Sequence, residues 1–139
     1  MNNCMMFLFL IGLVWGQDSF TIKGKYPHLK LIEEWTFESM ETITYAEEEE
    51  SEIVFKDDMN TESLSFHRSG SLSFMALTNG MMKKGRGLWL VKDDLLKIVA
   101  DSDTIHATYE INDDFLTITT SNEETDEFFG YKTIVRYKK

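Results

Sequence analysis

One cysteine and one proline occur in 139 residues, and basic side chains are outnumbered by acidic ones, 14 against 24. The cysteine is Cys4, inside an N-terminal stretch that reads as a leader. The chain beyond that leader therefore has no disulfide, no thiolate metal site and no cysteine nucleophile. Burial alone must hold such a domain together. The formal charge of −10 argues against nucleic acid and acidic lipid headgroups as partners. The single proline, Pro27, suits the first position of a short helical turn, where a missing N–H costs nothing. Beyond that turn no convincing helical pattern is found.

Long apolar runs are confined to the first stretch. Met1 to Gly16 carries no Asp, Glu, Lys or Arg, and its apolar segment Leu8 to Leu13 falls short of the roughly 20 residues that span a bilayer. It reads as a signal peptide cleaved before Gln17, with a secreted or periplasmic product and no stable membrane insertion after its removal. The expected organisation is leader 1–16, linker 17–25 and one domain 26–139.

Catalytic signatures are missing as well. The sequence contains no G-x-S-x-G, P-loop, dinucleotide fingerprint or H-E-x-x-H. His28, His67 and His106 stand singly. A triad of dispersed members stays open, but no catalytic residue, metal ligand or cofactor site is assigned, and the expectation is a protein that is not an enzyme. The pairs Asp57-Asp58, Asp93-Asp94 and Asp113-Asp114 are better explained as turns, since aspartate tolerates left-handed geometry and bonds to nearby amides. Weak calcium binding in the acidic loop from Ser121 to Glu127 is the alternative kept for that segment.

The pattern that is present is alternation. Val91-Lys92-Asp93-Asp94-Leu95-Leu96-Lys97-Ile98 is echoed by Ile111-Asn112-Asp113-Asp114-Phe115-Leu116-Thr117-Ile118. A spacing of about twenty residues is two strands and two tight turns, the pitch of an antiparallel meander. Trp35 to Tyr45 alternates Trp35, Phe37, Ser39, Glu41, Ile43 and Tyr45 on one face. Ser51 to Lys56 is a short strand after the acidic run at Glu47 to Glu50. Leu64 to Phe74 is a hairpin turning at Ser69-Gly70, and Asn79-Gly80 is a second turn. Met81 to Lys84 reads as a wide loop before a strand at Gly85 to Val91. Leu95 to Ala100, Thr104 to Ile111, Phe115 to Thr120 and Tyr131 to Tyr137 complete about nine strands. An all-β, antiparallel up-and-down meander closing into a barrel, with a short N-terminal helical turn, is the expected fold; a two-sheet sandwich is the alternative.

Leu31-Ile32-Glu33-Glu34-Trp35, Phe66-His67-Arg68-Ser69-Gly70-Ser71, Gly85-Arg86-Gly87-Leu88-Trp89 and Ile134-Val135-Arg136-Tyr137 together resemble the small exported lipocalin-like domains of bacteria. The resemblance implies a lipocalin-like barrel, with Trp35 closing its floor and Arg136 lying over that indole as a cation–π contact. Glu33 departs from the family's glycine at that place. It also implies non-covalent binding of a small hydrophobic molecule. From strand parity the lining residues are Phe37, Phe66, Phe74, Leu90, Ile98, Tyr109 and Ile118. The alternative is a solid barrel acting as a protein-interaction or inhibitor module, with a protein partner at an exposed apolar patch around Trp89 or Phe128-Phe129.

Overall fold

The computed structural model describes residues 29–126 and 129–139. The expected leader, the linker and the start of the helical turn at Tyr26 to His28 lie outside the described residues, as does Phe128. The chain enters on a 3-10 turn, Leu29–Leu31. Nine strands come after it: β1 Glu34–Tyr45, β2 Glu49–Phe55, β3 Thr61–Phe66, β4 Ser71–Thr78, β5 Met81–Lys92, β6 Leu95–Ala100, β7 Asp103–Asn112, β8 Phe115–Asn122 and β9 Gly130–Lys138.

Every pairing between these strands is antiparallel, and each of β3 to β8 pairs with the next. Closure comes from β1 and β9, paired from Thr36↔Lys138 to Tyr45↔Gly130. On its other flank β1 meets two strands end to end. Glu34–Thr36 pair with β3, and Ser39–Tyr45 pair with β2. The result is an eight-stranded up-and-down barrel with β2 as an additional strand. Between β2 and β3 the excursion at Asp57 to Asn60 is held by Asp57 Oδ1, which accepts from the Met59 amide at 2.8 Å and from Asn60 Nδ2 at 3.1 Å.

Turn chemistry explains the tight connections. Asn79 and Gly80 both have positive φ, 50° and 81°, and so do Asp101 and Ser102, 50° and 71°. Two consecutive left-handed residues match the twist of a hairpin. Asp93 and Asp113 also take positive φ, 57° and 55°, so these acidic pairs work as turn residues. Because the Asn79-Gly80 turn needs only two residues, pairing resumes at once. Met81 to Lys84 is therefore strand, in register with Met75 to Thr78, and the expected wide loop is corrected.

A bulge corrects a second expectation. The β1–β9 register shifts between Phe37 and Ser39, which inserts Glu38 and inverts the alternation beyond it. Trp35 and Phe37 are buried inside, but from there Met40 takes the inner side, opposite Val135, while Ser39, Glu41, Ile43 and Tyr45 turn away from it.

Candidate functional site in the barrel interior

The inner faces converge on one core. Trp35, Phe37, Leu64, Phe66, Leu72, Phe74, Trp89, Leu96, Ile98, Ile105, Leu116, Ile118, Val135 and Tyr137 are all buried in it. Of the expected lining residues, Phe37, Phe66, Phe74, Ile98 and Ile118 lie in this core, and Tyr109 packs against it half-buried. Leu90 does not. Its neighbour Trp89 is turned inward and is 1% exposed, so Leu90 projects from the opposite side of β5, beside Lys97. Placing Leu90 in the lining is thus corrected by the inward burial of Trp89.

The two ends of the interior differ in chemistry. At the end where β1 starts and β9 finishes, large side chains fill the space. Leu31 is fully buried there, and its carbonyl accepts the Trp35 indole N–H at 3.1 Å. Phe66 meets Trp89 edge to face at 5.4 Å between ring centres, and the Trp89 indole N–H reaches the His67 carbonyl at 2.9 Å. Trp89 and Trp35 thus keep their polar tips bonded while their rings are buried. Arg136 is not over Trp35; its guanidinium lies 4.3 Å from the centre of the Phe115 ring. Alternation on β9 turns Arg136 outward, between the inward Val135 and Tyr137, which corrects the expected contact.

Toward the opposite end, inward positions become small or polar. Ala76, Ala100 and Ala107 are buried there, and Gly85 stands opposite Phe74. A Cβ on Gly85 would lie 2.2 Å from Phe74 Cζ, so glycine is what lets the ring lie across β5. Thr133 pairs with Thr42 of β1 on one side and Thr120 of β8 on the other, giving a row of threonines across three strands. Thr133 and Thr120 are buried, yet neither hydroxyl oxygen has a hydrogen-bond partner.

Glu62 is the one carboxyl among the buried residues described. It sits two residues before Leu64 on the inward face of β3 and is 1% exposed. The Tyr137 hydroxyl donates to its Oε1 at 2.5 Å, while Oε2 has no partner. Among the described residues no Lys, Arg or His is buried beside it. Burial pushes the Glu62 carboxyl from 4.5 up to about 8, and the Tyr137 bond only partly opposes that rise. Tyr137 is in turn held well above its ordinary 10, by burial first and then by the nearby carboxyl. Such a pair is a reservoir of unmet hydrogen-bonding capacity in a low-dielectric setting.

Glu62 is absent from the sequence-based expectations, although a signal for it exists. Extending the Leu64 and Phe66 alternation two residues backward places a carboxyl inside. The inward Thr133 and Tyr137 fit the period of β9 in the same way. Outside the barrel, His67 Nε2 lies 2.7 Å from Ser73 Oγ in an exposed groove with Arg86. Among the described residues, no group of three or more His, Cys, Asp or Glu is placed to hold a metal ion.

Compared with family models, curated proteins and solved structures, the chain gives no significant match to any of them.

Proposed function

We propose that this protein is an exported lipocalin-like carrier whose barrel encloses one small, mainly hydrophobic molecule without a covalent bond. The supporting observation is the set of buried polar atoms without partners, Glu62 Oε2, Thr120 Oγ1 and Thr133 Oγ1, on inward faces of a closed barrel. A buried polar atom left unmatched costs about 1–3 kcal/mol, so bonding to these atoms would favour a guest. Its apolar body would be held by enclosure, at roughly 25 cal/mol per Å² removed from water. Phe37, Phe74, Ile98 and Ile118, all buried in the core, are the apolar walls in this reading. Export rests on the uncharged segment 1–16.

Titration with 1-N-phenylnaphthylamine tests enclosure. A single saturable site per chain, with energy transfer from the buried Trp35 and Trp89, is expected. Absence of saturable binding would count against a carrier.

A second reading, a protein-interaction module, is favoured by β2. That strand pairs only with β1 among the described strands, and Ile53 and Phe55 on it are exposed, at 52% and 68%. The patch expected around Trp89 is not available for this role, because Trp89 is buried. Sedimentation velocity discriminates the readings: a monomer at all concentrations, unchanged by Phe55→Ser, opposes self-association through β2.

A further inference from the structure

We propose that the guest of this lumen carries a protonated amine, seated against the Glu62 carboxylate. The inference deepens the carrier reading and rests on it.

Charge complementarity is the first argument. Glu62 is a fully enclosed acidic side chain whose one bonded neighbour, Tyr137, is neutral, and among the described residues no basic side chain is buried with it. A carboxyl buried without a cation stays protonated or destabilises the fold. The rise of its ionisation to about 8 expresses that imbalance. A cation brought by the guest would supply the missing counter-charge inside the barrel.

Donor count is the second argument. The unpartnered atoms on the inner faces are one carboxyl oxygen and two threonine hydroxyl oxygens. An alkylammonium group brings charged N–H donors, one of them for Glu62 Oε2, whereas an alcohol brings a single neutral donor. A fatty carboxylate brings only acceptors and cannot supply the counter-charge that an ionised Glu62 lacks. The surrounding −10 charge also concentrates cations near the protein and repels anions. The apolar remainder of the guest would lie against Phe74, Ile98 and Ile118, which share the interior with these polar groups.

Calorimetric titration of the full domain with octylamine hydrochloride, 1-octanol and sodium octanoate at neutral pH tests the proposal. Octylamine is expected to bind at least about tenfold more tightly than octanol, as befits a charge-assisted bond in a dry site. Glu62→Gln, checked for folding by circular dichroism, should abolish that advantage and bring octylamine affinity down to that of octanol or below it. If octanol or octanoate binds as well as octylamine, or if Glu62→Gln keeps the amine preference, the amine proposal is overturned and the carrier reading stands. If neither the three octyl compounds nor the naphthylamine dye binds, the carrier reading itself fails. Should Glu62→Gln not fold, the octylamine-to-octanol ratio in the unaltered protein decides alone.

Discussion

The Tyr137 hydroxyl and the Glu62 carboxyl are joined at 2.5 Å inside the barrel, across 75 residues of chain. The two side chains come from β9 and β3, which lie on opposite flanks of β1. Closure of the barrel brings them together. The same burial that removes both groups from solvent raises the pKa of each.

Stability should fall as pH rises from about 4.5 to about 8 through this group. In that window the unfolded chain has lost the Glu62 proton while the folded protein keeps it, so unfolding releases a proton and is favoured by alkali. The slope from one such proton is about 1.4 kcal/mol per pH unit. The contribution is fully present below the unfolded value and lost by the folded one. Urea midpoints measured across this range should decline for the unaltered protein, and Glu62→Gln should flatten the decline. A Glu62→Gln curve parallel to the original would show that Glu62 is not the group responsible.

Tyr137→Phe removes the one bond that Glu62 makes. A loss of about 1–3 kcal/mol is expected, because a buried oxygen is left without its donor. Since that bond lowers the Glu62 ionisation, its removal should also extend the sensitive pH window further to the alkaline side. Both effects are read from the same urea series.

Period-two patterning makes most of the strands legible in the sequence, because β7, β8 and β9 alternate with little interruption. Asn79-Gly80 and the aspartate pairs announce their turns through left-handed backbone preference. Parity fails where the chain departs from regular pairing. The bulge at Glu38 leaves no signature in residue type, so parity alone puts Ser39 to Tyr45 on the wrong face. Leu90 is misplaced by the same rule because β5 is apolar on both sides there, which removes the contrast that parity needs. Glu62 escapes notice for a different reason: a carboxyl on an inward position contradicts the ordinary rule for a core, and its partner Tyr137 is far away in sequence.

Gly85→Ala should destabilise the barrel although it adds a single methyl group. The new Cβ would lie within 2.2–2.9 Å of three atoms of the Phe74 ring, which must then leave its place against β5. An overpacking loss of about 1–3 kcal/mol is expected in denaturant unfolding. Adding Phe74→Leu to Gly85→Ala should recover part of it. Additive losses in the double variant would contradict the contact.

Trp35→Phe deletes the indole N–H that holds the Leu31 carbonyl. The entering turn should loosen while the strands remain paired. Hydrogen exchange at the Ile32 and Glu33 amides, which bond to Leu29 and Leu31, reports this directly. Faster exchange at these two amides with unchanged protection in β6 and β7 is the expected pattern; uniform acceleration would mean that Trp35 holds the whole barrel.

The most direct test of an enclosing barrel is a crystallographic map of the lumen, from protein purified out of its own producing cells. Continuous density for a non-protein molecule is predicted within hydrogen-bonding distance of Glu62 Oε2, with its remainder against Phe74, Ile98 and Ile118. A lumen filled by side chains, with Glu62, Thr120 and Thr133 bonded only to ordered water, would contradict it.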